Sequence, residues 1–352
     1  MAKKKEDQSE VKEEKGANAL EITQQIITKK YGEGVISLLG KHEDLKIDVI
    51  PTGCLALDAS LGIGGLARSR LHEIYGPNSS GKSTLALSVC MQALKRSLNV
   101  AYIDAEHSMD PKLVRSMGNA VGVSADKMYL VQAFTGDDNL EIAELLMKTG
   151  MMDVLVIDSV SALLPRAMSE GDIGDNYIGL LARLMSKACL KLTPIANYSK
   201  TMLIFINQIR HNIGKWGDDR VPTGGEALSY YSTNRIKVEG GESQKSRIIN
   251  DEGLVIGHKC AFEIVKNKLS VPWRTANINL IYGVGYDYIH ELFTLGVDLG
   301  LIEKSGSWFV YQGEKVQGEK SMVDIIRENE HWHKELDTEI KNRLGLKNEQ
   351  TS

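Results

Sequence analysis

A phosphate-loop pattern, G-x-x-x-x-G-K-[S/T], is matched at every fixed position by residues Gly76 to Ser83. An apolar run with strand character, Leu71 to Tyr75, precedes the loop, and an amphipathic segment, Thr84 to Arg96, follows it. In this context glycines let backbone N–H groups surround phosphate oxygens, and the helix N-terminus adds partial positive charge. The sequence therefore predicts a nucleoside triphosphate site formed by Gly76, Pro77, Asn78, Ser79, Ser80, Gly81, Lys82, Ser83 and Thr84.

Three side chains are candidates for the phosphate and metal chemistry. Lys82 is expected to reach the β and γ phosphates, and the Ser83 hydroxyl to ligate Mg²⁺. Asp158 ends the apolar run that begins at Val154, the arrangement that places a carboxylate beside a phosphate-bound Mg²⁺. The alternative role for Asp158 is to cap the turn that follows at Ser159.

Two further strand ends carry polar groups. The strand that begins near Tyr102 ends in two acids, Asp104 and Glu106, and a carboxylate there could polarise the attacking water. Glu106 is the better-placed candidate base, and the alternative is a solvated carboxylate paired with an arginine. A third apolar strand, which begins at Leu203, ends at Gln208 and leads into a long loop, so it could report on the phosphate.

Two loops differ in charge. The basic loop, Ile209 to Gly225, is long for a compact domain and combines cations, one tryptophan and four glycines, a composition typical of contacts with single-stranded nucleic acid. Two aspartates dilute this signal, and a solvated surface loop is the alternative. The acidic loop, Pro165 to Asn176, should repel nucleic acid except through its backbone N–H groups. The candidate contacts of the basic loop are Arg210, Lys215, Trp216 and Arg220.

A lysine pair, Lys266 and Lys268, ends a strand far in sequence from the phosphate loop. These two side chains could be surface charge. They could also complete the nucleotide site of a neighbouring subunit and supply the transition-state charge that an arginine finger supplies elsewhere.

Composition limits the class of protein. The chain has 352 residues, 42 % hydrophobic content and a formal net charge of −4, which allow a sizeable core and exclude a generally basic nucleic-acid binder. No apolar run approaches the roughly 18 residues that span a bilayer. The charged N-terminus matches neither an export signal nor a transit peptide. The four cysteines form no C-x-x-C pair, which favours packing roles and a reducing cytoplasm over zinc or disulfides.

The order of elements predicts an α/β fold. From about Ile50, strand-like runs alternate with helical segments, which indicates a mainly parallel sheet covered on both faces. Three later runs, without strong helices between them, predict a continuation in antiparallel strands: Arg235 to Glu239, Ala261 to Lys266 and Ala276 to Tyr282. We expect a disordered tail over residues 1–18, a helical arm over 19–47, a core over 48–285, a small α+β domain over 286–345 and a tail over 346–352.

The whole set of motifs closely resembles the bacterial RecA recombinases, from about Glu21 to Leu344. The residues that carry the resemblance are the phosphate loop, Ile103 to His107, Val156 to Ser159, Ser169 to Asp175, Leu203 to Arg210, Val265 to Lys268 and Leu301 to Gly306. The resemblance implies a RecA-type phosphate-loop core with a mainly parallel central sheet, an N-terminal helical arm that docks on the next subunit, and a small α+β C-terminal domain.

The same resemblance implies a DNA-dependent ATPase that uses ATP and Mg²⁺. Such a protein forms a helical filament on single-stranded DNA, searches duplex DNA for homology and exchanges strands in recombination and repair. It would also stimulate self-cleavage of a repressor in the SOS damage response. Single-strand-binding or loading proteins are implied as partners, and a membrane is not.

The resemblance also assigns roles to residues. Glu106 would activate water, Asp158 would stand on the Mg²⁺ side, and Gln208 would sense the γ-phosphate and couple it to the basic loop. Lys266 and Lys268 would reach the ATP of the adjoining protomer. Residues from Met168 to Asn176 and the basic loop would line the filament axis, with DNA contacts from Arg183, Arg210, Lys215, Trp216, Arg220, Gly224 and Gly225.

Several positions depart from the family pattern. Leu113 stands where a tyrosine commonly stacks on adenine, Asn78 replaces a usual acid, and Glu226 replaces an amide. The basic loop is one residue short. The segment from Lys341 to Ser352 lacks the acidic tail that many relatives have.

Two other functions fit part of these patterns. One is a ring-forming phosphate-loop motor, such as a hexameric helicase or a signalling ATPase, which would hydrolyse ATP without forming long filaments. The other is a nucleotide-gated DNA scaffold that does not depend on hydrolysis. Glu106 argues against the second.

Overall fold

The computed structural model describes residues 19–32, 35–36, 47–172, 179–211, 220–241 and 243–346. The predicted N-terminal tail lies outside the described residues, as does all but Leu346 of the C-terminal one. The chain divides into two compact units, one ending at Ile47 and the other beginning at Asp48. In the first unit, helix α1 spans residues 19–31 and leaves Ile22 and Ile26 exposed on one side. No helix of the described part is long and apolar enough to cross a membrane.

The second unit alternates strands and helices. Its helices are α2 (Leu55–Leu61), α3 (Lys82–Lys95), α4 (Pro111–Ala120), α5 (Gly136–Lys148), α6 (Arg166–Ser169), α7 (Leu180–Ser199), α8 (Ala227–Tyr231), α9 (Tyr288–Asp298), α10 (Glu319–Glu328) and α11 (Glu330–Leu344). Its strands are β1 (Val49–Ile50), β2 (Leu66–Ala67), β3 (Leu71–Gly76), β4 (Val100–Asp104), β5 (Tyr129–Val131), β6 (Val154–Asp158), β7 (Met202–His211), β8 (Arg220–Pro222), β9 (Asn234–Gly240), β10 (Arg247–Ile249), β11 (Val255–Asn267), β12 (Thr275–Ile281), β13 (Gly285–Tyr286), β14 (Glu303–Ser305), β15 (Trp308–Tyr311) and β16 (Glu314–Gln317).

The main sheet has the order β13-β12-β11-β9-β3-β7-β6-β4-β5, with β8 paired to β7 and β10 to β11. Strands from β9 to β5 in this order are parallel, which confirms the predicted mainly parallel sheet. The register places Gly76 opposite Gln208 and Asp104 opposite Asp158. Because parallel strands end at one edge, the polar strand ends predicted from the sequence lie side by side.

Strand β6 shows why the sheet is covered on both faces. Val154 and Val156 belong to one hydrophobic cluster, with side chains of α2 and α3, whereas Leu155 and Ile157 belong to another, with α5 and α7. Successive side chains of a strand point to opposite faces, so a continuous apolar run needs helices on both.

One expectation about the later strands is wrong. The run from Arg235 to Glu239 was expected to be antiparallel, but it forms β9, which pairs with β3 in parallel. The short helix α8 connects β7 to β9 and provides the crossover that a parallel pair requires. The next two runs form β11 and β12, which are antiparallel as predicted.

A third hydrophobic cluster lies beyond the main sheet. It joins α9, α10 and α11 to the antiparallel sheet β14-β15-β16. Leu292, Phe309 and Ile326 are among its buried members, and Phe293 packs edge-on against Phe309 with ring centroids 5.0 Å apart. This is the small α+β module that the sequence predicted.

Candidate functional site

The phosphate loop connects the end of β3 at Gly76 to the start of α3 at Lys82. Gly81, the residue before α3, has φ 103°, and a Cβ there would lie 2.9 Å from Cδ1 of Leu280. A Cβ at Gly76 would lie 2.1 Å from the carbonyl oxygen of Val238. Close packing on the neighbouring strands therefore requires glycine at both fixed positions of the pattern.

The Lys82 side chain folds back across the phosphate loop. Its ammonium group donates to the carbonyl oxygen of Pro77 at 2.6 Å, so the side chain spans the loop. Burial lowers the pKa of Lys82, while the nearby carboxylates of Asp158 and Glu106 act in the opposite direction. A partly desolvated ammonium group is a strong partner for phosphate oxygens.

Asp158 and Ser83, the two predicted metal ligands, are in direct contact. The Ser83 hydroxyl donates to Oδ2 of Asp158 at 2.7 Å, and the Tyr102 hydroxyl donates to the same oxygen at 2.6 Å. Burial raises the pKa of Asp158, and these two hydrogen bonds partly offset the effect. An adjacent carboxylate and hydroxyl oxygen fit a Mg²⁺ ion, which takes few protein ligands and completes its shell with water and phosphate.

Glu106 and Gln208 meet at the same edge of the sheet. The Gln208 amide donates to Oε1 of Glu106 at 2.6 Å, and the Ser159 hydroxyl donates to the same oxygen. The backbone N–H of Glu106 bonds to the carbonyl oxygen of Asp158 at 3.3 Å, which holds the β4 end beside the β6 end. Asp104, the other acid of the pair, is buried and accepts two backbone N–H groups of the next turn. Of the two acids, Glu106 is exposed toward solvent.

The antiparallel strands β11 and β12 form a second wall beside the phosphate loop. A cleft of about 250 Å³ is lined by Ser79 to Thr84, His258, Leu280 and Tyr282. Nδ1 of His258 lies 3.1 Å from the Tyr282 hydroxyl, and Nε2 lies 3.3 Å from Sγ of Cys260. The Cys260 thiol in turn donates to the carbonyl oxygen of Ser80 at 3.3 Å. Burial lowers the pKa of His258, so the imidazole is neutral at pH 7.

The strand that was expected to end at Gln208 continues to His211 as β7, and residues 220–222 form β8, so both ends of the predicted basic loop contain strands. These two strands are antiparallel and bring the two ends of the loop together. Arg210 is exposed on β7, and Arg220 is the first residue of β8. Lys215 and Trp216 lie outside the described residues, as do residues 173–178 of the acidic loop.

Gly224 and Gly225 follow β8 in the left-handed region, with φ 82° and 76°. A Cβ at Gly224 would lie 2.8 Å from Cγ1 of Val160, and one at Gly225 would lie 2.9 Å from Cβ of Ala182. Both backbone conformation and close packing therefore select glycine. Arg183, next to Ala182 on α7, is exposed.

Lys266 and Lys268 contact the end of α8. Nζ of Lys266 donates to the carbonyl oxygens of Ser229 and Tyr230, at 2.5 and 3.0 Å, and Nζ of Lys268 donates to that of Tyr230 at 3.0 Å. Burial and the positive charge of Lys268 lower the pKa of Lys266 to about 8. At about 3.3 Å per residue along β11, Lys266 lies roughly 25 Å from His258, the residue of this strand that lines the phosphate-loop cleft.

Sequence reasoning missed four side chains of this site: Tyr102, Ser159, His258 and Tyr282. Tyr102 is two residues before Asp104 on a predicted strand, so its hydroxyl could have been assigned to the face that Asp104 shares. Ser159 directly follows a candidate metal ligand. His258 and Tyr282 carry no sequence signal, because they belong to no motif and reach the loop through strand pairing alone.

The fold and site define a phosphate-loop ATPase with a mainly parallel sheet and an antiparallel extension. Residues 18–287 match the family model of the RecA N-terminal domain, and residues 290–345 match that of the RecA C-terminal domain. The chain therefore belongs to the RecA family.

Curated relatives support the same assignment. The chain is 44 % identical over 330 residues to Protein RecA of Mycobacterium avium (strain 104), covering 93 % of this chain and 92 % of that protein. It is 42 % identical over 332 residues to Protein RecA of Bacillus subtilis (strain 168), covering 94 % and 93 %. Membership confirms the interpretation as a DNA-dependent recombinase ATPase, which forms filaments on DNA and exchanges strands in repair, over the ring-forming alternative.

Proposed function

We propose that this chain hydrolyses ATP with Mg²⁺ at the edge of the sheet where β3, β4, β6 and β7 end. The phosphate loop from Gly76 to Thr84 holds the triphosphate, and Lys82 neutralises charge on the β and γ phosphates. Ser83 and Asp158 hold Mg²⁺, which would neutralise charge that develops on the phosphate oxygens. Tyr102 orients the Asp158 carboxylate.

In this proposal Glu106 is the base that accepts a proton from the attacking water. The observation that carries the assignment is the shared oxygen Oε1, which accepts from both Gln208 and Ser159 at the mouth of the phosphate loop. These donors orient the carboxylate and leave Oε2 to bind water. Gln208 is then able to exchange its bond to Glu106 for one to the γ-phosphate, which makes it the sensor.

We assign the DNA-facing surface to the acidic and basic loops and the residues beside them. Arg210 and Arg183 are exposed cations on β7 and α7, and the glycines after β8 allow backbone N–H groups to approach phosphates. The full set of proposed contacts is Arg183, Arg210, Lys215, Trp216, Arg220, Gly224 and Gly225.

Lys266 and Lys268 are proposed to act on the ATP of the adjoining protomer. Within their own chain these two side chains bond to the end of α8 and not to the phosphate loop, which supports a role across an interface. We further propose that residues 19–47 form the arm that docks on the next subunit, with the exposed apolar side of α1 as its contact. In this division residues 48–285 are the ATPase core and residues 286–345 the C-terminal domain.

The proposed setting is the cytoplasm. A self-cleaving repressor of the SOS response and single-strand-binding or loading proteins are the proposed partners. The four buried, unpaired cysteines suit a reducing compartment.

ATP hydrolysis by the purified protein, with and without single-stranded DNA, tests the proposal. We expect strong stimulation by DNA, and loss of hydrolysis in both conditions for Lys82→Ala. Hydrolysis that ignores DNA would contradict the coupling from Gln208 to the basic loop. Hydrolysis that survives Lys82→Ala would contradict the nucleotide site itself.

A further inference from the structure

The buried side-chain amide of Asn207 lies where three segments meet. These are β3, which leads into the phosphate loop, β7, which carries Gln208, and the returning end of the basic loop. Asn207 is fully buried near the end of β7, and Gln208 follows it directly. The register of β3 and β7 places Asn207 opposite Tyr75 and Gln208 opposite Gly76, the first glycine of the phosphate loop. Asn207 touches neither Glu106 nor the metal-side pair, so the chemistry described above does not use it.

The Asn207 side chain has four hydrogen-bond partners. Its Nδ2 donates to Oε1 of Glu73 at 3.0 Å and to the carbonyl oxygen of Thr223 at 2.9 Å. Its Oδ1 accepts from the backbone N–H of Gln208 at 2.9 Å and from the Thr223 hydroxyl at 2.6 Å. These bonds use the full capacity of a primary amide. The reverse orientation would face donors with donors, so the network determines how the amide is turned.

The partners of Asn207 are themselves held in place. Glu73 is buried on β3, and its Oε2 accepts from Nε of Arg235 on β9 at 2.5 Å. The guanidinium of Arg235 lies over the Tyr75 ring, 4.9 Å from its centroid. One side of the amide is therefore anchored to the strand that carries the phosphate loop.

The other side of the amide is anchored to the returning end of the basic loop. Thr223 is the residue after β8 and directly precedes the two left-handed glycines. Besides its two bonds to Asn207, its backbone N–H bonds to the carbonyl oxygen of Gln208 at 3.1 Å. Three bonds thus tie Thr223 to the two consecutive residues Asn207 and Gln208.

We propose that Asn207 is a positioning residue that couples Gln208 to the basic loop. A fully satisfied buried amide resists any displacement that leaves one of its partners unpaired. When Gln208 moves toward the γ-phosphate, the network therefore moves Thr223 and the adjoining glycines with it. This inference rests on the proposed function, because it assumes that Gln208 senses the nucleotide.

A matched pair of substitutions at Thr223 tests the coupling. Thr223→Val removes the hydroxyl bond to Asn207 at nearly constant volume, and Thr223→Ser retains the hydroxyl. Asn207→Asp replaces both amide donors by an acceptor that faces Glu73. If Asn207→Asp does not fold, the Thr223 pair still decides the question.

The readout is the ratio of affinities for single-stranded DNA in the presence of a non-hydrolysable ATP analogue and in the presence of ADP. Couplings of this kind are roughly 5- to 150-fold. We expect Thr223→Val to reduce the ratio by about tenfold, since the buried Oδ1 of Asn207 loses one of its two donors, and Thr223→Ser to stay within about twofold of the unaltered protein. Affinity for the ATP analogue without DNA should stay the same in both, which a general loss of structure would not allow.

Two outcomes overturn the inference. A wild-type ratio retained by folded Thr223→Val and Asn207→Asp would show that the network does not carry the coupling. Gln208→Ala separates this result from failure of the proposed function. If the unaltered protein itself shows no nucleotide-dependent ratio, or if Gln208→Ala retains it, the sensor assignment fails, and the inference fails with it.

Discussion

The parallel and antiparallel halves of the main sheet contribute to the site in different ways. In the parallel half, β3, β4, β6 and β7 all end at one edge, so each strand delivers its polar residues to the same place. In the antiparallel half, β11 passes that edge and serves two places. Its first part puts His258 and Cys260 against the phosphate loop, and its last part puts Lys266 at the end of α8.

This difference separates two kinds of functional residue. Parallel strand ends converge by topology, so their residue types can be interpreted from order along the chain. Antiparallel strands bring residues to a site by register, which no local pattern reveals. The parallel half is expected to carry the chemistry, and the antiparallel half to act on a neighbouring ATP and on the fit of the nucleotide.

The largest expected effect belongs to the parallel half. Glu106→Gln keeps an oxygen that accepts from Gln208 and Ser159 but removes the basic carboxylate, so DNA-stimulated turnover should fall by about 10²- to 10⁴-fold. Steady-state hydrolysis measures the loss. Filament assembly with ATP, seen by electron microscopy, should persist because the nucleotide contacts are intact. Unchanged turnover would reject Glu106 as the base.

The next effect tests whether Lys266 acts on a neighbour. Lys266→Ala should lower turnover by about 10²- to 10³-fold, since transition-state charge is lost. A mixture of Lys266→Ala and Glu106→Gln protomers should recover about a quarter of wild-type turnover, because random head-to-tail contacts rebuild that fraction of complete sites. Hydrolysis by each protein alone is the control. A mixture no more active than its parts would place Lys266 in its own chain's site, and the two halves of the sheet would no longer differ.

The same division explains how much the sequence could predict. The sequence could predict that the phosphate loop, Glu106, Asp158 and Gln208 lie close together, because each follows or lies in an apolar run that forms a strand of the parallel half. The orientation of β9 was not, because α8 is one short turn of helix and leaves little periodicity to detect. His258 and Asn207 are found only from the structure, since their partners are distant in sequence.

A smaller effect tests whether Glu291, a carboxyl group with a strongly raised pKa, belongs to the active site or has only a structural role. Glu291 on α9 accepts from the Cys54 thiol and the Ala56 N–H, and its Oε2 has no partner. Burial raises the pKa of Glu291 to about 7. The titratable groups around it are Cys54, Asp58, Tyr286 and Asp337. We expect a structural role, because none of these groups faces the nucleotide cleft.

Because the pKa of Glu291 is raised in the folded protein, the protonated carboxyl group favours the folded state. Its stabilisation is complete below the unfolded-state pKa of about 4.5 and is lost as pH rises through about 7, which lowers the free energy of unfolding by on the order of 3 kcal/mol. Glu291→Gln should flatten this dependence in chemical unfolding between pH 5 and 8. Exposed Glu303→Gln is the control and should leave it unchanged. If Glu291→Gln instead altered the pH profile of hydrolysis, the antiparallel side would hold a further part of the active site.

The smallest effect concerns the fit of the nucleotide. His258→Phe keeps a ring but removes the hydrogen bond to Tyr282, so the KM for ATP should rise about fivefold while kcat changes little. Tyr282→Phe removes the same bond from the other side. Steady-state kinetics of both variants and of the double variant form a cycle.

If the bond between His258 and Tyr282 is what holds the second wall of the cleft, the double variant should bind ATP no worse than either single one. If the increases in KM of the two single variants instead multiplied in the double variant, the two side chains would contact the nucleotide separately. A fall in kcat with unchanged KM would contradict the comparison more strongly. It would mean that His258 and Tyr282, which antiparallel strands bring to the site, take part in hydrolysis itself and do more than shape the cleft.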